Sequence, residues 1–343
     1  MRLACLAALI WAWLAPWALG FEVEDRVHYP GTPAASVLRI ISTADREAFE
    51  PILLAFQRAR PSVEIDYTIT GTTDLMQAIQ NEGAVFDLAI SSAMDLQTKL
   101  ANDGFAQTYA GAPLGDLPGW ASWRNQVFAF TQEPAVLVVS NADFPPGTAP
   151  HSREELIAIL REDPERFRGR VGTYDVRRSG FGYLMATQDS RNSEAFWRLM
   201  EVMGRLDAKL YCCSSDMIGA VAGGDLALAY NVLGSYASSQ RALIDGFQII
   251  EFEDYVNVML RTALIPTTAE NPNGAKAFID FLIGLGQRPD LVRRSGLPAI
   301  DTLSFDENTA LRPIRFGPGL LVFLDQLRRR NFLKSWESSL VQN

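Results

Sequence analysis

Residues 174–183 read Tyr174-Asp175-Val176-Arg177-Arg178-Ser179-Gly180-Phe181-Gly182-Tyr183. They follow the apolar, strand-like residues 169–173 and lead into residues 181–188, whose amphipathic pattern predicts a helix. Ser179 is a candidate N-cap, and the free N–H groups of such a helix start attract anions. Arg177 and Arg178 can bind a carboxylate or phosphate beside it. The residues fit an anion site, and they equally fit an ordinary helix cap flanked by two solvated arginines.

The same pattern of small hydroxyl residues and glycine recurs wherever a predicted strand gives way to a helix. The residues concerned are Ser42, Thr43, Gly71, Thr72, Thr73, Ser91, Ser92, Ser179, Gly180, Ser214 and Ser215. Hydroxyls and free N–H groups at helix starts form neutral donor sets for oxyanions. Each motif alone is more often only an N-cap. Together they predict a donor-lined site at the carboxyl ends of several strands.

Strand-like and helix-like patterns alternate along the chain, which predicts an α/β fold. Long extended runs at residues 127–139 and 258–265 interrupt two such series. We therefore expect two lobes joined by two crossovers, with a ligand cleft between them. The expected first lobe comprises residues 21–130 plus 262–343, and the second comprises residues 131–261.

The first twenty residues have the composition of a signal peptide. Arg2 supplies the positive start, residues 3–14 are apolar, Pro16 interrupts the run, and Ala18-Leu19-Gly20 offers small residues for cleavage. A membrane anchor is the alternative, but the run is shorter than the ~20 apolar residues a spanning helix needs. We expect a cleaved signal and a periplasmic protein.

The charge of the chain limits its partners. With 31 basic and 40 acidic residues, the formal net charge is −9. Such a balance argues against binding to nucleic acid or anionic membranes. An anionic ligand must then be held by local groups. We expect a monomer with a small anionic ligand and no cofactor.

Two adjacent cysteines, Cys212 and Cys213, remain after the signal. They follow the predicted strand at residues 209–211, directly before a predicted helix. In an oxidising compartment they can form a vicinal disulfide, or they can stay as two small buried thiols. The spacing of a CxxC redox or zinc motif is absent.

A further candidate is Tyr230-Asn231-Val232-Leu233-Gly234-Ser235-Tyr236, at the end of a predicted strand. Tyr230, Asn231 and Tyr236 can reach sugar-like hydroxyls or a phosphate across a cleft. Half-buried aromatic residues in a loop are the alternative.

The chain resembles periplasmic solute-binding proteins of ABC importers, in the group that includes ferric-ion, hexose-phosphate, phosphoglycerate and phosphonate binders. The matching stretches are Leu38-Arg39-Ile40-Ile41-Ser42-Thr43, Phe86-Asp87-Leu88-Ala89-Ile90-Ser91-Ser92, Phe167-Arg168-Gly169-Arg170-Val171-Gly172-Thr173-Tyr174-Asp175 with Arg178-Ser179-Gly180, and Leu228-Ala229-Tyr230-Asn231-Val232-Leu233-Gly234-Ser235-Tyr236. The resemblance implies two α/β lobes, closure over a ligand, and the membrane subunits of an ABC importer as partners.

Ferric members of this group use adjacent tyrosines, whereas this chain has Tyr230-Asn231 and keeps His28 and His151 outside the candidate loops. The resemblance therefore favours a phosphorylated organic anion over iron, and we expect no metal site. A ferric-ion binder and a sensing partner of a membrane histidine kinase are the alternatives. The predicted ligand-binding residues are Ser42, Thr43, Gly71, Thr72, Thr73, Ser91, Ser92, Tyr174, Asp175, Arg178, Ser179, Gly180, Ser214, Ser215, Tyr230, Asn231 and Tyr236.

An enzyme is the competing class. It would need a nucleophile beside a base, paired carboxylates or a metal cluster. Asp87, Asp175 and Asp216 lie near the candidate loops, but no spacing joins them to a base. We therefore expect no catalytic residues, and a phosphoester hydrolase is disfavoured.

Overall fold

The computed structural model describes residues 20–32, 36–111 and 117–342. The expected signal segment lies outside these ranges except for Gly20, so its assignment stays a prediction. Among the described residues, none of the helices combines the length and the apolarity that a bilayer crossing needs.

The described residues form twelve strands and thirteen α-helices. The strands are β1 (Asp25–Tyr29), β2 (Ser36–Ser42), β3 (Val63–Ile69), β4 (Leu88–Ser91), β5 (Ser122–Trp123), β6 (Val127–Ser140), β7 (Val171–Tyr174), β8 (Lys209–Tyr211), β9 (Leu228–Leu233), β10 (Phe247–Ile250), β11 (Val256–Leu264) and β12 (Leu311–Pro313). The helices are α1 (Arg46–Ala59), α2 (Thr72–Gln80), α3 (Met94–Asn102), α4 (Arg153–Glu162), α5 (Pro164–Phe167), α6 (Gly180–Asn192), α7 (Ala195–Arg205), α8 (Ser214–Ala222), α9 (Gly234–Arg241), α10 (Pro272–Ile283), α11 (Pro289–Ser295), α12 (Leu303–Glu307) and α13 (Gln326–Trp336). Short 3-10 helices lie at Gly119–Ala121, Gly284–Gln287 and Pro318–Leu324, and a π-helical turn, Glu337–Val341, continues α13.

The first lobe forms around β2, β3 and β4, which pair in parallel, with β1 antiparallel at the edge. The apolar residues of α1 recur at helical spacing and are buried on one face. Phe49 of that face stacks on Tyr67 of β3, and Phe56 packs edge-on against Phe278 of α10. These contacts fix α1 above the sheet, so its first turn stands at the carboxyl end of β2.

The second lobe forms around β9, β7 and β8, which also pair in parallel. Apolar residues of α4, α7 and β7, such as Leu156, Phe196 and Val171, share one core. On the other side, Ile218 of α8 packs with Val232 of β9. The starts of α6 and α8 consequently lie at the carboxyl ends of β7 and β8.

The two crossovers are β6 and β11, which pair antiparallel with each other. The first half of β6, to Pro134, pairs with β11, and the second half, from Ala135, pairs with β9. Proline lacks an N–H donor, so Pro134 suits the position where β6 changes partner. The two lobes therefore share one hydrogen-bonded path, β1-β3-β2-β4-β11-β6-β9-β7-β8. The predicted α/β fold with two lobes and two crossovers is confirmed.

The C-terminal segment differs from the expected division of the chain, which placed residues 262–343 in the first lobe. Trp336 of α13 is 1% exposed and belongs to the core of the second lobe. Phe332 stacks on Phe196 of α7. The segment covers an apolar face of α7 that would otherwise meet water. The boundaries at residues 130/131 and 261/262 stay predictions.

The stretch at residues 230–236 is not a loop. β9 extends to Leu233, and α9 begins at Gly234. A Cβ at Gly234 would lie 3.0 Å from the Pro134 backbone oxygen, so glycine permits the close approach of α9 to β6.

Candidate ligand-binding cleft

A cavity of about 730 Å³ lies between the two lobes, where the carboxyl ends of their strands meet. Its walls include eleven of the predicted residues, namely Thr43, Gly71, Thr72, Thr73, Ser92, Tyr174, Arg178, Ser179, Ser214, Ser215 and Tyr236. They come from the loops after β2, β3, β4, β7 and β8 and from α9. The recurrent hydroxyl motifs are therefore brought together in space.

The start of α6 is capped by the protein itself. The Ser179 hydroxyl accepts the Gly182 N–H at 3.1 Å, which makes Ser179 an N-cap as its sequence predicts. The N–H groups of Gly180 and Phe181 both donate to the hydroxyl of Thr72 in the first lobe, at 2.8 and 3.4 Å. The expectation of an open anion site at Ser179-Gly180 is thus corrected, because these donors are already taken. Gly180 itself does not line the cavity.

Three further hydrogen bonds join the lobes around the cavity. Thr73 Oγ1 donates to the carbonyl of Arg178 at 3.0 Å. Ser215 Oγ donates to Asp45 Oδ2 at 2.6 Å, and the backbone N–H of Asp45 donates to the Tyr236 hydroxyl at 3.1 Å. With the Thr72 contacts, they hold the lobes together at both sides of the cavity. We call this set the cross-lobe contacts.

The two arginines of the opening motif differ in their surroundings. Arg177 forms a two-pronged ion pair with Asp175, at 2.7 and 2.8 Å. Partial burial raises the pKa of Asp175, but the hydrogen bonds from Arg177 outweigh it, so the pKa is lowered overall. Arg178 lines the cavity, and its guanidinium makes no hydrogen bond or ion pair with a described residue. Arg178 is therefore free to bind a ligand, whereas Asp175 serves Arg177 and does not line the cavity.

Free backbone donors are found at α2 and α8 instead of α6. The N–H groups of Thr73 and Asp74, and those of Ser215 and Asp216, have no acceptor within the described part of the chain. Unpaired N–H groups in a first helical turn carry partial positive charge. The Ser214 hydroxyl is engaged with Tyr174 and with the Leu233 N–H, so it positions α8.

Five carboxylates also line the cavity: Glu22, Glu24, Asp45, Asp74 and Asp216. None forms an ion pair with a described residue. Partial burial and repulsion from Asp45 and Asp74 raise the pKa of Glu24. Burial also raises the pKa of Asp45, although Ser215 and Arg261 oppose the shift.

These carboxylates are not among the ligand-binding residues predicted from the sequence. Asp45 and Asp74 stand at helix starts, directly after the predicted hydroxyl loops. Their place in the sequence could therefore have identified them as residues of the cleft. Glu22 and Glu24 precede β1, and no local pattern connects them to the cleft. They lie there because β1 pairs with β3, which brings the preceding residues to the carboxyl end of β3.

Four other predicted residues lie outside the cavity walls. The hydroxyls of Ser42 and Ser91 are buried and accept the N–H groups of Ala44 and Ala93 in tight turns. Tyr230 and Asn231 turn away from the cleft, and both donate to Asp189 Oδ2 at 2.7 Å. Asp189 is fully buried, and its charge needs such donors. The expectation that Tyr230 and Asn231 reach across the cleft is therefore corrected.

Cys212 and Cys213 form a disulfide at the edge of the cavity. Cys213 is the N-cap residue of α8, directly after β8. Counting only His, Cys, Asp and Glu side chains of the described residues, Cys212, Cys213 and Asp216 form the one group of three whose ligand atoms lie within 4.8 Å of one another. With both sulfur atoms in the disulfide, this group offers no thiolate to a metal.

The crossovers carry a buried ion pair behind the cavity. Arg261 of β11 donates to both oxygens of Glu133 of β6, at 2.8 and 3.0 Å, and both side chains are 0% exposed. Ser235 of α9 donates to the same carboxylate. The guanidinium also lies 5.6 Å from the ring centre of Tyr236, which lines the cavity. The ion pair thus links the crossovers to one wall of the cleft.

This fold, with its cleft between two lobes joined by crossover strands, is that of the substrate-binding proteins of ABC transporters. A family described as bacterial extracellular solute-binding protein matches residues 38–288, more than half of the chain. The chain belongs to this family. Its family and fold are those of transport proteins that bind solutes and not those of enzymes. Membership implies export from the cytoplasm and the membrane subunits of an ABC transporter as partners.

Among solved structures, the substrate-binding protein of an ABC transporter from Agrobacterium tumefaciens is 32% identical, with a TM-score of 0.87 over 92% of this chain and 98% of that chain. Iron-bound HitA from Pseudomonas aeruginosa is 16% identical, with a TM-score of 0.68 over 88% and 99%. The periplasmic binding protein AfuA from Actinobacillus pleuropneumoniae, with fructose-6-phosphate bound, is 14% identical, with a TM-score of 0.69 over 89% and 99%. The last two share the fold alone. No curated protein sequence matches this chain significantly.

Proposed function

We propose that the protein captures a small phosphorylated organic anion in the periplasm and delivers it to an ABC importer. The observation that carries the proposal is that Arg178 lines the cavity and that its guanidinium has no partner among the described residues. Arginine binds phosphate through two parallel hydrogen bonds and stays charged at any physiological pH. Transport is favoured over sensing because the relative at 32% identity is a transporter's substrate-binding protein.

The free N–H groups at the starts of α2 and α8 supply the remaining donors for a phosphate. Thr73 of α2 and Ser215 of α8 lie in opposite lobes and both line the cavity. A phosphate between them would be bound from both lobes at once, which favours the closed arrangement. The cavity volume of about 730 Å³ is in the range that suits a small metabolite.

Ferric iron is the less favoured ligand. Tyr230, the tyrosine that the ferric alternative requires, is buried against Arg153 and Asp189 and does not line the cavity. Within the described residues, the carboxylates of the cleft do not bring three ligand atoms within 4.8 Å of one another. Iron needs several hard ligands at once.

Calorimetry with glycerol 3-phosphate, glucose 6-phosphate and their unphosphorylated parents tests the proposal. We expect binding of at least one phosphate ester and none of the parents. Arg178→Gln should weaken that binding tenfold or more, because a charge-assisted hydrogen bond contributes roughly 1.5–3 kcal/mol. Arg161→Gln is the matched control, since Arg161 is exposed on α4, outside the cavity walls. Equal affinity of the wild type and Arg178→Gln would contradict the proposal.

A further inference from the structure

The cavity has more negative than positive side chains, which a purely anionic solute does not explain. Five carboxylates line it, together with two arginines, and Arg177 is already paired with Asp175. None of the five carboxylates is paired with a cation, so their negative charge is not balanced by the described residues of the cleft. The cleft can therefore accommodate a positively charged group of the solute, in addition to an anionic group bound by Arg178.

The carboxylates converge from separate elements of both lobes. Glu24 precedes β1, Asp45 occupies the N-cap position of α1 and Asp74 lies in the first turn of α2, all in the first lobe, whereas Asp216 lies in the first turn of α8 in the second. An acidic residue at a helix start interacts favourably with that helix. This accounts for three of the four, but Glu24 stands on no helix. A Cβ at Gly71 would lie 3.0 Å from Asp74 Oδ2 and 3.7 Å from Glu24 Oε1, so these two carboxylates lie side by side at the cavity. The charges of Asp45, Asp216 and Glu22 also raise the pKa of Glu24. We call Glu24, Asp45, Asp74 and Asp216 the acidic wall.

A second and independent observation indicates a ligand at the same place. Tyr236 lines the cavity and is only 8% exposed. Its hydroxyl accepts the N–H of Asp45, but no described residue accepts the hydroxyl proton. A buried donor without an acceptor costs free energy. A solute that offers an oxygen beside Asp45 would remove this cost, which places part of the solute against the acidic wall.

A bare metal ion does not suit the acidic wall. A metal needs several ligand atoms in one tight shell, and the carboxylates of the wall do not supply three within 4.8 Å. An ammonium group needs less, because one carboxylate and neighbouring hydroxyls can accept its three N–H donors. Further carboxylates stabilise its charge at longer range.

We infer that the solute is zwitterionic, with an ammonium group against Glu24, Asp45, Asp74 and Asp216 and a phosphate-type anion at Arg178. The inference rests on the proposed function and narrows the solute to amino-bearing phosphates. In such a solute each charged end meets groups of opposite sign, and its hydroxyl or ester oxygens can accept from Tyr236. Neutralising the acidic wall also removes the repulsion between carboxylates from the two lobes, so the ammonium end favours closure as well.

Calorimetry with matched pairs tests the inference. O-phosphoethanolamine is compared with ethyl phosphate, and glucosamine 6-phosphate with glucose 6-phosphate, since each pair differs mainly in its ammonium group. We expect the amino member of at least one pair to bind tenfold or more tightly. Asp216→Asn and Glu24→Gln should shrink that preference to less than threefold while binding of the amine-free partner is kept or strengthened. Glu162→Gln, an exposed carboxylate on α4, is the control and should keep the preference.

Measurements on the wild type alone distinguish a failure of the zwitterion inference from a failure of the proposed function. If the wild type binds both members of each pair equally, the zwitterion inference is wrong and the proposed function stands. If the wild type binds no phosphate ester but binds ethanolamine or calcium alone, both are wrong. A preference for the amino member that survives in both carboxylate variants would also overturn the role of the acidic wall.

Discussion

The hydroxyl of Thr72 in the first lobe lies 2.8 Å from the backbone nitrogen of Gly180, the first residue of α6 in the second lobe. It also accepts the N–H of Phe181. A Cβ at Gly180 would lie 2.9 Å from Thr72 Oγ1 and 2.7 Å from Leu96 Cδ1, so a side chain there would push on the hydroxyl that accepts these bonds. The start of α6 is therefore a contact between the lobes, and the ligand must use other donors.

Thr72→Val should shift the protein towards an open arrangement. The closed state would keep two buried N–H groups without an acceptor, which costs about 1–3 kcal/mol. Small-angle X-ray scattering should show a larger radius of gyration for the variant without added ligand. Thr148→Val is the control, because its hydroxyl bonds only Pro145 within the second lobe. Identical scattering of Thr72→Val and wild type would mean that this contact does not determine closure.

Glu133→Gln should destabilise the fold strongly. It would leave the buried guanidinium of Arg261 without its counter-charge, and one nitrogen of that group, Nη1, already lacks a partner among the described residues. Removing one partner of a buried ion pair costs roughly 3–5 kcal/mol. Urea unfolding measures the loss. Glu154→Gln, which breaks an exposed pair with Arg198, should change stability little. A comparable loss in both variants would refute a special role for the crossover pair.

Much of this architecture follows from local sequence patterns. The strand predicted at residues 209–211 is β8, and Ser179, the predicted N-cap, caps α6. The hydroxyl motifs meet because parallel strands place their carboxyl ends at one edge, which makes their loops neighbours whatever their sequence separation. The fold and half of the 22 residues that line the cavity could therefore be predicted.

Local sequence patterns did not reveal the hydrogen bonds and packing contacts between residues that are far apart in the sequence. Thr72 caps α6 from 108 positions away, and Tyr230 satisfies Asp189 instead of a ligand. A local pattern shows that a hydroxyl can form a hydrogen bond, but it does not show which group will be its partner in the folded protein. Likewise, the packing of α13 on α7 depends on which apolar face is left uncovered after the lobes form. These choices are made by three-dimensional packing and not by local propensity.

Asp95 should make stability depend on pH. It is 2% exposed on α3, its Oδ1 has no partner among the described residues, and burial raises its pKa to about 7. The pKa of Asp95 is higher in the folded than in the unfolded protein, so its ionisation lowers the free energy of unfolding as pH rises from about 4 to 7. Above about pH 7 this loss of stability stays constant.

Asp95→Asn removes that titration. The variant should gain stability relative to wild type as pH rises, by up to about 4 kcal/mol at pH 8 compared with pH 4. Thermal unfolding at a series of pH values provides the comparison. A difference between variant and wild type that is the same at every pH would show that Asp95 does not titrate in this range.

The disulfide between Cys212 and Cys213 should affect binding, because Cys213 is the N-cap residue of α8, whose free N–H groups we assign to the phosphate. Reduction removes the covalent constraint on this turn and should weaken binding of the best phosphate ester several-fold. Thiol titration of the native mature protein should find no free thiol before a mild reductant and two after it. Two free thiols before reduction, or an affinity indifferent to the reductant, would contradict this role.

Native mass spectrometry of the protein, exported to the periplasm and purified without denaturation, tests the capture of a phosphorylated solute most directly. We predict that wild-type protein retains a small organic solute whose fragmentation releases a phosphate ion. Arg178→Gln, prepared in the same way, should retain much less of it. Retention of a ferric ion or of a solute without phosphorus would contradict the account.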